Sequence, residues 1–420
     1  MASNYSVKER ALAQFLSRFP AVKVFAKKSY QRLNFFFYKK KYTYRSIYNL
    51  EQVDLPGQET FFGYYDKSPI SSDGRYILFH AAPFSTKKLP ERNRSVSVKV
   101  YDTRSKEIVF SHESHAYNWQ QGTKAQWLNE RKFIFNNYVD GQYVSMMVDL
   151  IEGKIENIPC PIYDCFNTDY ALTLTFERLM ALRPDYGYRN KAALTEDEIS
   201  NTINDGIFHV NLSTLETKLL LRIEDIMKVS YQEPMKNASH KVNHIMISPN
   251  GERFMFLHRY FINGQRFDRL MVADRDGKNL KLLCDDGMVS HCYWLDSNTI
   301  IGYLRDKQFG DKYYKVDINS NQKVILGEGV IDNFGDGHPS VYNNKLLFDT
   351  YPDKARMKRL FIFDMEISKL EEIGEFYESL SYYGETRCDL HPRFSPQGDK
   401  VFFDSVHDGK RQLYWVNLRD

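Results

Sequence analysis

Two patterns of apolar and polar positions alternate along the chain and together predict a repeated β architecture. The first is a turn of Ser/Asn-Pro or Asp-Gly character followed by a short apolar strand, as in SPISSDGRYILFH (68–80). The second is an alternating strand ending in Asp or Asn, then a turn and another strand, as in VKVYDTRSKEIVF (98–110). Each pair supplies about four strands at a spacing near 40–50 residues, which is typical of one propeller blade.

The pair occurs seven times, so the sequence predicts an all-β, seven-bladed propeller at residues 51–420. The last copy stops after its third strand, and we expect the segment GQETFFGYYD (57–66) to supply the fourth strand and close the ring. One helix is predicted within AALTEDEISNTI (192–203), with Thr195 as its N-cap and Glu198 three residues later.

Residues 1–50 form a basic, aromatic-rich leader that we expect to be helical. It carries 11 Lys/Arg and one acid, a balance of +10, against −7 for the remainder of a chain with net charge +3. Such a leader either contacts an anionic membrane surface through residues 1–45 or docks on the propeller with its basic face in water. The acidic body disfavours nucleic acid as a partner.

Composition favours a cytoplasmic protein that is peripheral at the inner membrane if the leader binds lipid. The five cysteines are too few and too scattered for a disulfide framework, which indicates a reducing compartment. No signal-peptide pattern and no apolar run of membrane-spanning length is visible.

Histidines concentrate just before the repeat's turn, where the chain approaches the central funnel of a propeller. Seven of the 11 occupy such positions: His112, His115, His240, His244, His291, His338 and His391. This convergence predicts a polar functional mouth, although a single histidine there is more often structural.

Two neighbouring blades begin with potential metal ligands. Blade six starts with Asp336 and His338, and blade seven with Cys388 and His391. A carboxylate, two imidazoles and a thiolate form a four-coordinate set that suits structural zinc. The alternative is a buried thiol beside hydrogen-bonded histidines.

Two further segments carry candidate chemistry. In RPDYGY (183–188), a tyrosine stacks on a sugar ring or acts as an acid/base beside a cation, unless the turn merely packs on the sheet. In FLHRY (256–260), Arg259 binds a carboxylate or forms a structural salt bridge. No nucleotide-binding loop, serine-hydrolase order or H-E-x-x-H helix occurs.

Several strings resemble those of β-propeller polysaccharide lyases, namely FFGYYDKSPISSDGRY, YNWQQGTKAQWL, LRPDYGY, NHIMISPNGERFMFLHR, VSHCYW, DGHPS and RCDLHPRFSPQGDKVFFDS. The resemblance spans residues 57–418 and is strongest to ulvan lyases and their relatives in bacterial surface-polysaccharide gene clusters, and more distant to oligogalacturonate lyases. It implies a structural zinc between late blades, matching Asp336, His338, Cys388 and His391, and β-elimination on a uronic-acid glycan.

The same resemblance implies the remaining site residues. Tyr188 or Tyr186 matches the catalytic tyrosine region, and Asn118–Gln121 the region that supplies a catalytic histidine. The chain departs from the family pattern in having Gln120 or Gln121 and Asn137 where histidines are expected, and His209 where an arginine is expected. We therefore assign as catalytic Tyr188, His209, His244 and Arg259, and as glycan-binding Asn118, Gln120, Gln121, Asn137, Tyr186, His258 and His291.

The functional expectation is a lyase acting on an acidic poly- or oligosaccharide. The alternative is a non-lyase, glycan-binding protein of capsule or lipopolysaccharide biosynthesis that associates with the inner membrane. A propeller that only scaffolds partners is the third hypothesis, but a funnel so rich in His, Asn, Gln and Tyr argues against an inert platform.

Overall fold

The computed structural model describes residues 20–418 of the chain. The first 19 residues of the predicted leader lie outside this range. Ahead of blade 1 in the chain come one helix and two short strands, in order α1 (Pro20–Tyr38), β1 (Tyr44–Ser46) and β2 (Glu51–Gln52). None of the described helices is both long and apolar enough to cross a membrane.

Seven antiparallel sheets follow one another as the blades of a β-propeller, which confirms the predicted fold. Blade 1 contains β3 (Glu59–Phe61), β4 (Tyr76–Ala82), β5 (Val96–Asp102) and β6 (Glu107–Ser114). Blade 2 contains β7 (Gln126–Trp127), β8 (Lys132–Val139), β9 (Gln142–Asp149) and β10 (Lys154–Ile158). Blade 3 contains β11 (Asp164–Phe166), β12 (Tyr170–Leu174), β13 (Gly206–Asn211) and β14 (Thr217–Arg222).

The next two blades also have four strands each. Blade 4 contains β15 (Ser239–Ile247), β16 (Arg253–Ile262), β17 (Gln265–Asp274) and β18 (Lys281–Cys284). Blade 5 contains β19 (Val289–Trp294), β20 (Thr299–Asp306), β21 (Gly310–Asp317) and β22 (Lys323–Ile325).

The last two blades are completed by strands from the beginning of the described chain. Blade 6 contains β23 (Ser340–Tyr342), β24 (Lys345–Asp349), β25 (Met357–Asp364) and β26 (Lys369–Tyr377), with β1 added as a fifth strand. Blade 7 contains β27 (Arg393–Phe394), β28 (Lys400–Ser405) and β29 (Gln412–Asn417), with β2 as its outer strand.

Ring closure therefore differs from the sequence prediction. In β2, Glu51 pairs with Trp415 and Gln52 with Tyr414, so residues 51–52 supply the fourth strand of blade 7. The predicted closing segment at 57–66 instead begins blade 1 as β3 and then enters the centre of the ring. A two-residue strand carries too few positions to show an apolar period, which is why the sequence did not reveal it.

Strand burial follows position in the blade. Every residue of β4 is buried, because this inner strand is covered on both faces by the neighbouring blades, whereas β6 alternates between exposed and partly buried positions. Apolar side chains from adjacent sheets fill the space between blades; Leu347 and Leu360 of blade 6, for example, belong to one cluster with Val401 and Phe403 of blade 7. The core is thus a ring of interblade layers.

The long connection between β12 and β13 contains α2 (Phe176–Leu182) and α3 (Glu196–Ser200), and α4 (Ile223–Lys228) follows β14. Short 3-10 helices occupy Glu233–Asn237, Asp332–Phe334 and Gly384–Thr386. The predicted cap of α3 is confirmed, because Thr195 and Glu198 form a reciprocal capping box.

Residues 62–67 run through the middle of the ring, and we call this segment the central plug. The backbone N–H groups of Phe62 and Gly63 each donate to Asp404 of blade 7 at 3.0 Å. Gly63 has φ +120°, and a Cβ there would lie 2.8 Å from the backbone carbon of Gln121, so only glycine fits this crossing.

The rest of the plug contacts the other blades in turn. Asp66 pairs with Lys124 at the start of blade 2 at 3.1 Å, and Lys67 pairs with Asp164 of blade 3. The hydroxyl of Tyr65 donates to the carbonyl of Cys292 in blade 5 at 3.0 Å.

The Asp66–Lys124 pair gives a test of the plug's contribution to stability. Asp66→Ala leaves the buried Lys124 without its partner, and we expect the free energy of unfolding to fall by about 3–5 kcal/mol, since breaking a buried pair strands the other charge. Adding Lys124→Met removes that charge and should recover most of the loss in a urea titration. Equal destabilisation of the single and double variants would contradict this account.

His80 on β4 gives a pH dependence. It is fully buried, with Nε2 2.9 Å from the hydroxyl of Thr123, and burial lowers its pKa from 6.5 to about 4. As the pH falls, His80 therefore binds a proton near pH 6.5 in the unfolded chain but only near pH 4 in the folded protein. The stabilisation is complete above the higher value and is lost as the pH falls through this window.

We expect protonation of His80 in the unfolded chain to lower the free energy of unfolding by about 2 kcal/mol between pH 7 and pH 5. In His80→Gln, which replaces the imidazole with a hydrogen-bonding amide that does not titrate, the change in urea midpoint between the two pH values should shrink accordingly. An unchanged pH dependence would show that His80 does not couple folding to protonation.

Candidate functional site

His338, Asp389 and His391 form a buried group above the central plug. One potential ligand atom from each lies within 4.8 Å of the others, and all three side chains are buried. The two histidines come from the segments that lead into blades 6 and 7. These two segments lie next to each other in the structure, as the sequence predicts. Asp389 completes the group.

The two imidazole rings are oriented by their Nδ1 atoms. His338 Nδ1 lies 2.9 Å from a carboxylate oxygen of Asp349, and His391 Nδ1 lies 2.8 Å from the carbonyl oxygen of Gly63 in the plug. When Nδ1 donates to such an acceptor, the lone pair is placed on Nε2, which is the usual arrangement of a metal-binding histidine. Both Nε2 atoms are buried and have no hydrogen-bond partner among residues 20–418.

This donor set fits a divalent cation. Two imidazole nitrogens and a carboxylate suit zinc, manganese or iron, and three protein ligands leave coordination positions open. Arg387 Nε donates to Asp389 at 2.7 Å, which holds the carboxylate in place. Burial raises the pKa of Asp389, but Arg387, His338 and His391 outweigh it and hold the pKa well below its usual range.

The backbone at His391 is strained, with φ +45°. A side chain other than glycine rarely adopts the left-handed region, and such residues cluster at functional sites. Burial and the neighbouring His338 also keep the pKa of His391 well below its ordinary value, so the imidazole is neutral. A neutral imidazole is the form that binds a metal.

Two of the predicted zinc ligands are not in this group. The Cys388 side chain packs with Tyr382 and Val406, and burial raises the pKa of its thiol to about 12. The carboxylate of Asp336 instead accepts hydrogen bonds from Ser290 Oγ at 2.6 Å and His291 Nδ1 at 3.2 Å. The predicted thiolate-containing set is therefore wrong, because Cys388 and Asp389 point to different surroundings.

His291 lies beside the group, its ring centroid 4.1 Å from that of His338. Burial and His338 lower its pKa. His291, predicted to bind glycan, thus lies next to the His338–Asp389–His391 group, and its Nδ1 is hydrogen-bonded to Asp336.

His244, predicted to be catalytic, lies on the other side of Tyr64. Its Nδ1 is 3.2 Å from the Tyr64 hydroxyl and its Nε2 is 3.2 Å from a terminal nitrogen of Arg259. A register shift in β15 after Asn243 and φ +55° at His244 turn this residue toward the centre. Burial and Arg259 keep its pKa well below the ordinary value, so the ring is a neutral base.

Several cations surround His244. Arg259 and Arg266 both form ion pairs with Asp268, their Nε atoms lying 2.7 and 3.0 Å from the same carboxylate oxygen. Burial and the nearby Arg259 and Arg183 lower the pKa of Lys241 well below its ordinary value. The side chains of Arg183, Arg266 and Arg387 are 32%, 35% and 20% exposed, so they can be reached from solvent. We call the opening lined by these three arginines the mouth, and its positive charge attracts anions.

The predicted tyrosines separate into two roles. Tyr186 reaches the centre, with its ring centroid 5.1 Å from that of His244 and 5.8 Å from that of Tyr64. Tyr188 packs against Phe176 and its hydroxyl accepts from Asn136 at 2.9 Å, so it is a buried structural residue and its catalytic assignment is not supported by its position.

Two ion pairs join the Tyr186 segment to the segment leading into blade 7. Arg387 pairs with Asp185 at 2.8 Å, and Arg189 pairs with Glu385. The RPDYGY segment is therefore held across the mouth and does not pack only on its own sheet.

Three other predicted residues lie elsewhere. His209 is on β13, the third strand of blade 3, where it stacks on Tyr170. His258 is sealed between His240, 3.0 Å away, and Arg269, 3.2 Å away. Asn137 receives the backbone N–H of His115 at 3.0 Å and thus joins blades 1 and 2. Their positions do not bring them to the central group, and their contacts explain them as structural.

The NWQQG turn supports the site from below. Asn118 accepts the backbone N–H groups of Gln120 and Gln121 at 3.1 and 2.7 Å. Gln120 donates to the carbonyl of Arg387 at 2.9 Å, and Gln121 donates to the hydroxyl of Tyr163, which in turn accepts the backbone N–H of His244. These buried amides therefore contact segments that carry site residues.

Sequence reasoning missed Asp389, Tyr64 and Lys241, and the three arginines Arg183, Arg266 and Arg387. Asp389 sits inside the CDLH motif and Tyr64 inside FFGYYD, so both lay within segments already singled out. Arg183 and Arg387 are the first residues of RPDYGY and RCDLHPRFSPQGDKVFFDS, two strings already singled out, whereas Arg266 on β17 lies in none of them.

The fold and the site define a seven-bladed propeller with a buried His–Asp–His group in a cationic mouth. Among solved structures it is similar to an oligogalacturonate lyase in complex with manganese, with a TM-score of 0.61, 14% identity, and coverage of 91% of this chain and 96% of that one.

A second similar structure is the oligogalacturonate lyase of Vibrio parahaemolyticus, with a TM-score of 0.60, 13% identity, and coverage of 90% and 97%. At these identities the similarity shows the fold. No protein-family profile matches the chain, and no curated protein matches it in sequence.

Metal binding can be tested on two residues three positions apart. His391→Ala removes one nitrogen ligand, and we expect the purified protein to lose most of its bound divalent metal. Mutating a residue that only hydrogen-bonds to a ligand lowers metal affinity by about 10–100-fold, and loss of the ligand itself should lower it further. Cys388→Ala should lower the melting temperature but keep the metal content. Elemental analysis of the two variants distinguishes them. Metal loss in both variants would restore the thiolate set, in which Cys388 and His391 are both ligands, and metal retention in His391→Ala would exclude either set.

Proposed function

We propose that the protein is a metal-dependent, carbohydrate-active propeller that cleaves a uronic-acid oligo- or polysaccharide by β-elimination. The observation that carries the proposal is the pair of buried, unpartnered Nε2 atoms of His338 and His391 beside Asp389, set in a cationic mouth. The fold shared with oligogalacturonate lyases, one of them in complex with manganese, supports it.

The reaction needs the substrate carboxylate to be neutralised. The mouth offers Arg183, Arg266 and Arg387, each partly exposed. A guanidinium binds a carboxylate through paired hydrogen bonds and so orients the sugar ring. A cation held by His338, Asp389 and His391 would act as a Lewis acid on that carboxylate and make the adjacent C5 proton more acidic.

His244 is our candidate base. In the resting site Arg259 donates to its Nε2. A substrate carboxylate competes for this guanidinium, which releases the Nε2 lone pair toward the C5 proton. The electron pair of the C5–H bond forms the C4–C5 double bond, and the C4–O bond breaks.

The leaving oxygen then takes up a proton. The hydroxyl of Tyr186 is our candidate donor, since its ring lies at van der Waals range of both His244 and Tyr64, and the Arg183 guanidinium lies over it at 5.3 Å. The proton that His244 has taken up then returns to the Tyr186 oxygen through solvent, so both groups regain their starting state and no co-reactant is consumed.

The test is to incubate the protein with a panel of uronate polysaccharides and their oligomers, with manganese or zinc and with chelator, and to follow ultraviolet absorbance of the unsaturated product. We expect His244→Gln to lower kcat by about 100-fold or more, the usual contribution of a general base. The matched control, His209→Gln on the outer part of blade 3, should keep activity.

The second candidate is a glycan-binding protein of surface-polysaccharide biosynthesis without lyase activity. It is favoured by the hydrogen bonds that already engage both ring nitrogens of His244. Saturable binding of an acidic glycan without unsaturated product on any substrate or metal would select this function and reject the lyase.

A further inference from the structure

Helix α1 is oriented on the propeller in an unusual way. Its side toward blade 6 is formed by Gln31, Asn34 and Phe35, which are partly buried, while Leu33, Phe36 and Phe37 point outward. A helix that only docked on the domain would place its apolar residues inward and its amides in water. Over residues 29–38, and with the exception of Tyr30 and Phe35, that order is reversed.

The helix is anchored at its end, so the orientation is defined. The ring of Phe35 stacks on Tyr377 of β26 with centroids 5.6 Å apart, and Lys354 lies 5.8 Å from the centre of the Tyr38 ring. Just after the helix, Lys40 and Tyr42 both bind the buried carboxylate of Glu375. These contacts fix which face is free.

The outward face combines large apolar side chains with cations. Phe36 and Phe37 are each 69% exposed and Leu33 is 58% exposed. Arg32, Lys39 and Lys41 are exposed around them and form no ion pair within residues 20–418. No Asp or Glu occurs between positions 10 and 50, so no acid in this segment offsets them.

The same character continues beyond the helix. Tyr42, Tyr44 and Ile47 are exposed as well, at 38%, 45% and 65%. Exposed apolar surface that is contiguous and rimmed by charge marks an interaction site rather than ordinary surface. We call this surface, from Leu33 to Ile47, the leader face.

We propose that the leader face binds the surface of an anionic lipid bilayer. Phenylalanine, tyrosine and leucine side chains enter the boundary between headgroups and acyl chains, while lysine and arginine pair with anionic headgroups. A second copy would bring the same excess of positive charge against this one. Nucleic acid would satisfy the cations but would leave Leu33, Phe36 and Phe37 unburied. The proposal does not depend on the chemistry of the central site.

The experiment is sedimentation of the full-length protein with vesicles of phosphatidylcholine alone or mixed with phosphatidylglycerol. We expect partition into the mixed vesicles only, weakened by added salt because surface charges are screened. The variant Phe36→Ser/Phe37→Ser should bind about tenfold more weakly, since two rings no longer enter the interface. Lys39→Glu/Lys41→Glu should bind at least about 30-fold more weakly.

Matched controls lie on blade 5, outside the leader face. Phe309 is 53% exposed and Lys307 has an 84% exposed side chain, so Phe309→Ser and Lys307→Glu make the same chemical changes elsewhere. They should bind vesicles like the unaltered protein. Circular dichroism and metal content check that every variant is folded.

Three results would overturn the proposal. One is an absence of partition into anionic vesicles by the unaltered protein. Another is self-association in analytical ultracentrifugation that Phe36→Ser/Phe37→Ser abolishes, which would assign the face to a second copy. The third is equal loss of vesicle binding in the blade 5 controls, which would reduce the effect to non-specific charge and hydrophobicity.

Discussion

The central plug is the constraint on which the rest of the structure depends. Residues 62–67 place a backbone amide, a ring, a hydroxyl or a charge against each of the other six blades, so the segment fixes their relative positions. A ring of seven similar sheets has no intrinsic reason to hold an identical radius at each blade. Here the polar atoms of the plug have partners only if every blade stands where it does, since buried polar groups left unpaired are costly.

The candidate site follows from this arrangement. Gly63 offers its carbonyl to His391, and Tyr64 separates the His338–His391 pair from His244. The plug therefore aims the imidazoles as well as filling the ring. Two residues around it, His244 and His391, hold left-handed backbone conformations that only a well-packed surround sustains. The positive charge of the mouth is contributed by separate blades and is concentrated because the plug brings them together.

The sequence predicted those features that rest on a repeated pattern, and it did not predict those that depend on the orientation of a single side chain. Blade number followed from seven copies of a local pattern, and the meeting of His338 with His391 followed from their equivalent positions in neighbouring copies. The choice between Cys388 and Asp389 did not, because adjacent side chains of an irregular segment face opposite directions and the backbone at His391 has a conformation that no propensity indicates. Likewise His258 and Asn137 occupy plausible positions by spacing, but neighbouring elements already engage them. Arg269 on the adjacent strand contacts His258, and Asn137 donates to the carbonyl of Glu113 at the end of blade 1.

Closure by β2 has a consequence for the order of folding. Blade 7 pairs residues 412–417 with residues 51–52, so the first and last parts of the propeller must meet before the ring is complete. Until the seventh blade has emerged from the ribosome, the plug lacks Asp404 as an acceptor and the outer edge of the nascent sheet array stays open. Such long-range pairing is slow because the loop must close before its contacts form. The partly made chain therefore exposes unpaired strand edges during synthesis, the condition in which chaperones are most needed.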